Sequence, residues 1–252
     1  NSPALEWLAV LFMALSGISF ARYFMVWRTR SVRPLWRDAE VRAYVVVLLV
    51  SVAAVWLLLL REGKHVDAGH ALRDAAFQVV SVATTTGYAT TDYLLWPTIG
   101  PVLMLLLGAI VSCAGSTGGG IKMVRVLILA KVTLHELVQL IHPRVVNPVT
   151  LGGQTVPARV IGAVIAYMLV YGAVLVGLSL LMLASGLDVV TAVSAIIACL
   201  NNIGPGMGKV GPASNYAVLT DFQIWLCSLA MMLGRLELLS VMVLFTPQFW
   251  RR

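Results

Sequence analysis

Five long apolar windows constrain this chain more than any other feature. They run about Leu5–Trp27, Val41–Leu60, Pro97 to past Ile121, Ala158–Leu187 and Tyr216–Phe249, and are labelled A to E. About 20 apolar residues in a helix cross the roughly 30 Å hydrocarbon core of a bilayer. Each window is long enough to do so. Composition agrees: of 252 residues, 60% are hydrophobic and 12% charged, with a mean hydropathy of +0.90. Soluble domains are about a quarter charged. A soluble globular enzyme, a disordered chain and a disulfide-stapled secreted domain are thereby excluded. Cys113, Cys199 and Cys227 lie in apolar segments and form no C-x-x-C pair, so they read as small packing residues. Window A has neither a basic leader nor a small-residue cleavage site, so it is not a cleavable signal peptide. The chain opens at Asn1 in what reads as a helix already under way, and the expectation is a fragment of a longer protein or a processed chain.

The net charge of +7 reads first as loop asymmetry rather than as a nucleic-acid footprint. Arg22, Arg28, Arg30, Arg33, Arg37 and Arg42 cluster around the A–B connection, and Lys122, Arg125, Lys131, Arg144 and Arg159 between C and D. Arg251 and Arg252 end the chain, while the opposite side holds Arg61, Lys64, Arg73 and Lys209. The positive-inside rule puts the A–B loop, the C–D loop and the C-terminus in the cytoplasm. Trp27, Trp36, Trp96 and Trp250 fall near the interfaces thus defined.

Two outer connections are unlike ordinary loops. Asp67–Val82 reads as a short amphipathic helix leading into Ala83-Thr84-Thr85-Thr86-Gly87-Tyr88-Ala89-Thr90-Thr91-Asp92. Asp188–Leu200 reads as a short apolar helix leading into Asn201-Asn202-Ile203-Gly204-Pro205-Gly206-Met207-Gly208. Neither helix can span a bilayer, yet the second is too apolar for water. A re-entrant hairpin, half a helix in and an extended segment out, fits both facts. Span, short helix, glycine-containing segment and span thus occur twice. Pairing Gly87 with Gly204 sets an offset of 117 residues, which carries Ser112–Thr117 onto Leu229–Gly234 and Gly118 onto Arg235. Residue identity across this repeat is weak; element order carries it.

The chemistry of the two segments suits a dehydrated monovalent cation. Such an ion needs several oxygen dipoles without a full opposing charge, which would bind it too tightly to release. Extended backbone supplies carbonyls, glycine permits the angles, and threonine adds hydroxyl oxygen. Thr85, Thr86, Gly87 and Tyr88 form one candidate ion-facing set; Asn202, Ile203, Gly204 and Pro205 form the other, with Asn side chains able to brace it from behind. Each short helix directs its negative C-terminal dipole at its segment. The competing reading of each string alone is a membrane-surface loop. Asp67 and Asp92 near the outer mouth either concentrate cations or are simply solvated.

Gly115, Ser116, Gly118, Gly119 and Gly120 lie in mid-window C. Three consecutive glycines each cost about 1 kcal/mol in a helix interior, so the run predicts a broken helix, tolerated where it lines a cavity. Small-residue helix packing is the alternative. Arg235 is an intramembrane cation at the depth of that run, and its donors can hold carbonyls freed by the break. The loop is thus a candidate gate below the ion-facing segments, with Arg235 pinning it or repelling ions. Accommodation of Arg235 by Glu237 or by lipid competes, although residues two apart face different sides of a helix. Glu237 is expected to meet another helix. Gly115–Lys122 is not a phosphate loop, because Ile121 precedes the lysine and Met123 replaces Ser/Thr. His135-Glu136 is not a zincin motif, because Gln139 occupies the second histidine position; with His142 it reads as a solvated helix face.

The two re-entrant segments, Ala114-Gly115-Ser116-Thr117-Gly118-Gly119-Gly120-Ile121-Lys122 and Leu233-Gly234-Arg235-Leu236-Glu237 together resemble the Trk/Ktr/HKT superfamily of potassium transporters, in particular its bacterial TrkH-type membrane subunits. The resemblance covers essentially the whole chain, down to Phe245-Thr246-Pro247-Gln248-Phe249-Trp250. It implies an all-α membrane protein of repeated span, pore-helix, filter-strand and span units, two of an expected four. Residues 1–37 would be the end of a preceding repeat and a cytoplasmic loop, 38–150 the third repeat with its glycine gating loop, and 151–252 the fourth. A ring made by two chains is the alternative to a fragment. The resemblance also implies potassium (K+) uptake across the bacterial inner membrane, with no enzymatic activity and no organic cofactor. Glycine rather than serine at Gly87 and Gly204 goes with potassium in that superfamily. Its partners would be a cytoplasmic nucleotide-binding, TrkA-like regulatory subunit, a second copy of the full-length subunit and membrane lipid, without nucleic acid. A sodium-permeable member of the superfamily, a broken-helix secondary transporter for a small solute and a non-transporting scaffold are the competing functions.

Overall fold

The structure is a computed structural model; it describes residues 2–62, 67–143, 148–236, 238–244 and 246–250. Asn1, Lys64, Arg144, Glu237, Phe245, Arg251 and Arg252, invoked above, lie outside the described residues. Among the described residues the chain is mainly helical, with one two-stranded hairpin and irregular segments that follow α5, α6 and α9. The helices are α1 (Pro3–Ser16), α2 (Phe20–Thr29), α3 (Arg33–Arg37), α4 (Ala39–Glu62), α5 (Ala68–Ala83), α6 (Ile99–Ile110), α7 (Met123–Ile141), α8 (Ala158–Ala184), α9 (Val189–Leu200), α10 (Asp221–Arg235), α11 (Leu238–Leu244) and α12 (Pro247–Trp250). The hairpin pairs β1 (Thr150–Leu151) with β2 (Gln154–Thr155), antiparallel.

Windows B and D become single helices, α4 and α8, each long and apolar enough to cross a membrane. On α4 the buried residues Val41, Tyr44, Leu48, Ser51, Val55 and Leu59 recur every three or four positions, the period of one helix face. Leu49, Val50 and Leu57 point outward, as do Leu169, Val176 and Leu180 of α8. Hydrocarbon accepts such faces and water does not.

The other three windows are not the single spans that length alone suggests. Window A breaks into α1 and α2, bent by 91°, and window E into α10 and α11, bent by 106°. Window C stops at Ile110 and resumes at Met123. The break in A follows from the break in C, because each satisfies the other's freed backbone. The Cys113 N–H donates to Gly17 O at 3.0 Å and the Phe20 N–H to Gly115 O at 3.0 Å; the Thr117 hydroxyl donates to Ser16 O at 3.2 Å. Backbone groups inside a membrane must find such partners. Apolar length measures the capacity to span and carries no information about these cross-links.

Packing divides into two cores. One gathers α1, α4, α5 and α6 around Tyr44, Val55, Val79, Tyr93 and Met104; the other gathers α8 to α11 around Tyr171, Met182, Ile196, Ala230 and Leu238. They interlock by exchange: Ala198 and Ile203 belong to the first core, and Ile121 to the second. The half-length helices α5 and α9 are the most enclosed elements, with Gln78, Ser81, Thr191 and Ser194 buried along them. The cysteines are all buried and unlinked.

Candidate functional site: two paired segments above a glycine loop

Helices α5 and α9 are started by aspartates. Asp67 accepts from the Gly69 N–H, and Asp188 from the Thr191 N–H. Asp92 likewise accepts from the Leu94 N–H, so both outer-mouth acids named above serve as local caps. At their far ends the two helices unwind through one ladder. The N–H groups of Thr84, Thr85 and Thr86 donate to Val80, Val82 and Ser81 carbonyls at 3.0, 3.0 and 2.8 Å. The N–H groups of Asn201, Asn202 and Ile203 donate to Ile197, Cys199 and Ala198 carbonyls at 3.1, 3.0 and 2.8 Å. Each partner pair is related by the 117-residue offset. Thr85 and Asn202 share a φ of +55°, and Gly87 and Gly204 follow at +80° and +111°. Conformations this uncommon, repeated in register, turn the chain from helix to return segment in the same way twice.

The two segments meet at their glycines. A Cβ added to Gly87 would lie 2.1 Å from the Ile203 carbonyl oxygen, and one added to Gly204 would lie 3.8 Å from Gly87 Cα. The Ile203 side chain turns away into the first core, while the Tyr88 ring is exposed. Pro205 closes against Gly87, its Cδ 3.4 Å from the same added Cβ. Among the described residues, the carbonyl oxygens of Thr85, Thr86, Gly87, Asn202 and Ile203 accept no hydrogen bond. The carbonyls do not all face one way, however. The Ser81 hydroxyl donates to Tyr88 O at 2.6 Å and the Tyr216 hydroxyl to Gly204 O at 2.8 Å, drawing those two oxygens backward. The Asn amides sit behind the second segment: Asn201 Nδ2 donates to Ile197 O at 2.8 Å, and Asn202 Nδ2 to Met231 O at 3.3 Å.

The glycine loop lies against the ends of both half-helices. The Gly119 N–H donates to Thr85 Oγ1 at 2.9 Å. A Cβ added at Gly118 would lie 2.0 Å from Ser112 Oγ and 3.3 Å from Thr84 O; at Gly119 it would lie 2.1 Å from Asn201 O. Only a backbone without side chains fits this layer. Gly115 and Gly120 have φ of +72° and +82°, and the Ser116 hydroxyl donates to Cys113 O. From below, Arg235 Nη1 donates to Thr117 O at 3.0 Å, and the Lys122 ammonium donates to Gly118 O. Arg125 stacks on the Tyr167 ring, 3.9 Å from its centroid. These three cations and the loop line a cavity of about 310 Å³.

Sequence reasoning missed the hydroxyl braces Ser81 and Tyr216, the lysine contact, and Glu40, whose Oε1 accepts from the Ala114 N–H at 2.7 Å and the Val124 N–H at 3.1 Å. An acid at the mouth of an apolar window, close to Asp38 and among six arginines, was the available signal for Glu40. Among the described residues no group of three or more His, Cys, Asp or Glu side chains gathers as a metal site, and His135 and Glu136 remain on α7.

A family model described as the TrkH cation transport protein matches residues 1–252. The chain belongs to the TrkH family. It is similar to the Trk system potassium uptake protein TrkH of Vibrio parahaemolyticus, 38% identical over 253 residues, and to that of Escherichia coli K12, 37% identical over 251. Each alignment covers 100% of this chain and 52% of the relative. The fold superposes on the crystal structure of the Vibrio parahaemolyticus potassium transporter TrkH with a TM-score of 0.94 at 37% identity, covering 100% of this chain and 54% of that one. This TrkH family chain thus spans about half the length of the relatives it matches. It is an all-α membrane protein of a transporter family and not an enzyme.

Proposed function

We propose that this chain forms part of a potassium uptake pathway of the bacterial inner membrane, with residues 38–150 and 151–252 as two pore units. The observation that carries the reading is the juxtaposition of Thr85–Gly87 and Asn202–Gly204, with five carbonyl oxygens free of protein donors at the C-terminal ends of two half-helices. Carbonyl dipoles without a carboxylate hold K+ loosely enough to release it. The helix ends present negative dipole to the same place, which disfavours an anionic solute and with it the broken-helix solute transporter. Two further units complete a fourfold ring, from a longer chain or a second copy. Glycine at positions 87 and 204 supports potassium over sodium on the superfamily resemblance.

The gate in this proposal is the loop Gly115–Gly120. It closes the path below Thr85, and Arg235 and Lys122 hold it there through Thr117 O and Gly118 O. Their positive charge also opposes a cation at that level. A TrkA-like nucleotide-binding subunit acting on the basic cytoplasmic face, and a dimer of the full-length subunit, belong to the same proposal. Rubidium influx into liposomes holding the intact subunit, with sodium and potassium as competitors, tests it. Potassium should compete and sodium should not; influx blocked equally by sodium overturns the potassium assignment. In Arg235→Ala, influx without the regulatory subunit should rise about tenfold, the loss of one charge-assisted hydrogen bond. Unchanged influx removes the loop from gating.

A further inference from the structure

Glu40 stands in the first turn of α4, where Asp38 Oδ1 accepts its N–H at 2.7 Å. Its Oε1 accepts from two amides ten residues apart, Ala114 and Val124, which bracket the glycine loop. Half of this is helix capping: Val124 lies in the first turn of α7, whose N–H groups lack intrahelical partners and whose dipole favours an anion. Capping does not account for Ala114, which lies before the loop. One oxygen on α4 therefore ties the loop's entry to its exit. The anchor is rigid, because Val41, Tyr44 and Leu48 of the same helix are buried in the first core. The contacts of Arg235 and Lys122 are of another kind, since they reach carbonyls in the loop's middle. Glu40 also lines a cavity of about 420 Å³ with Arg22, Arg37, Asp38 and Gln154, separate from the one beneath the loop.

We propose that Glu40 is a positioning residue for the gate: it fixes both feet of the glycine loop and so keeps Thr117–Gly120 under the ion-facing segments. The inference rests on the reading of that loop as a gate. For the middle of the loop to withdraw, at least one foot must shift, and the Glu40 bonds oppose this. Hydrogen bonds to a charged acceptor are about twice as strong as neutral ones. Glutamine keeps an acceptor oxygen without the charge and retains part of the hold; alanine retains none.

The test is rubidium influx into liposomes holding the intact transporter without its regulatory subunit, for wild type, Glu40→Gln, Glu40→Ala and Arg235→Ala. Influx should rise about tenfold in Glu40→Ala and about threefold in Glu40→Gln. The KM for rubidium should stay within about twofold, because the ion-facing oxygens are untouched. A merely structural role would lower influx together with the yield of folded protein. If Arg235→Ala raises influx while both Glu40 variants match wild type, the Glu40 inference fails and the gate stands. If no variant raises influx, the gate reading fails and takes the inference with it. A KM change beyond that range overturns the inference by placing the effect at the ion-facing segments. Should Glu40→Ala not fold, Glu40→Gln decides, and influx at or below wild type overturns the proposal.

Discussion

The two repeated units, residues 38–150 and 151–252, agree at the segments proposed to face the ion and diverge below them. Above, the hydrogen-bond ladders of Thr84–Thr86 and Asn201–Ile203 match bond for bond, and Thr85 and Asn202 have the same φ. Below, the first unit breaks between Ile110 and Met123, whereas the second continues as helix to Arg235. The residue at the register of Gly118 is this arginine, and it donates to the neighbouring Thr117 carbonyl. A ring that binds one ion needs equivalent oxygens from each unit; a part that closes the path needs only one unit to move. On the proposed reading, pseudo-symmetry is retained where the first demand applies and abandoned where the second does.

The largest test of this comparison is at the glycines. Gly87→Ala puts a methyl 2.1 Å from Ile203 O at a φ of +80°, whereas Gly204→Ala has room and suffers only from its φ of +111°. Rubidium influx should fall about 100-fold in Gly87→Ala, overpacking added to backbone strain, and about tenfold in Gly204→Ala, strain alone. Equal losses would mean that the units do not differ in crowding. Next comes the layer below. At Gly234 an added Cβ would lie 1.8 Å from Leu200 O, while at Gly172 on α8 it would meet nothing within 4 Å. Gly234→Ala should destabilise by about 1–3 kcal/mol, and Gly172→Ala should stabilise by about 0.5–1 kcal/mol, both read as thermal melting in detergent. The opposite order would show that the inner half of the second unit is not packed against α9.

Much of the fold and of the candidate site's geometry was legible because it is written locally. Short helices, one amphipathic and one apolar, leading into Thr-Thr-Gly and Asn-Ile-Gly, and a glycine run inside a window, declare themselves through residue type and spacing. The kink in window A was not legible, because it answers a partner elsewhere: Gly17 accepts from Cys113, nearly a hundred residues on. The direction of each carbonyl was hidden for the same reason. Ser81 holds Tyr88 O from within the first unit, but Tyr216 reaches Gly204 O from beyond the second segment. No spacing rule links a tyrosine to a carbonyl twelve residues back.

Those two braces sharpen the comparison, because they fall one position apart in the register. In the first unit the oxygen after the glycine is held and Gly87 O is free; in the second the glycine's own oxygen is held. Removing the Tyr216 hydroxyl should therefore restore equivalence at the glycine level, whereas removing that of Ser81 should not. Each deletion loses one hydrogen bond to a segment carbonyl, about 1 kcal/mol, and Tyr216→Phe also loses the weak bond donated by the Cys199 thiol at 3.8 Å. Tyr216→Phe should change the potassium-over-sodium competition ratio about threefold, and Ser81→Ala by less. Equal effects would indicate that only the number of free oxygens matters, and not their level.

The smallest expected difference lies at the outer cap of α9. The Thr191 backbone N–H and hydroxyl hold the Asp188 carboxyl below its ordinary value of 3.8. The folded state thus binds this proton less readily than the unfolded chain does. The associated stability is present above the unfolded value and is lost as pH falls through the folded one, so it concerns only the range below about pH 4. The group is nearly fully exposed, and solvent screening keeps the contribution small. Asp188→Asn keeps a capping oxygen but cannot titrate, so the melting temperatures of variant and wild type should converge between pH 6 and 3. A gap that widens on acidification would mean that the carboxylate is not the stabilising form, and that α9 is anchored by its buried face alone.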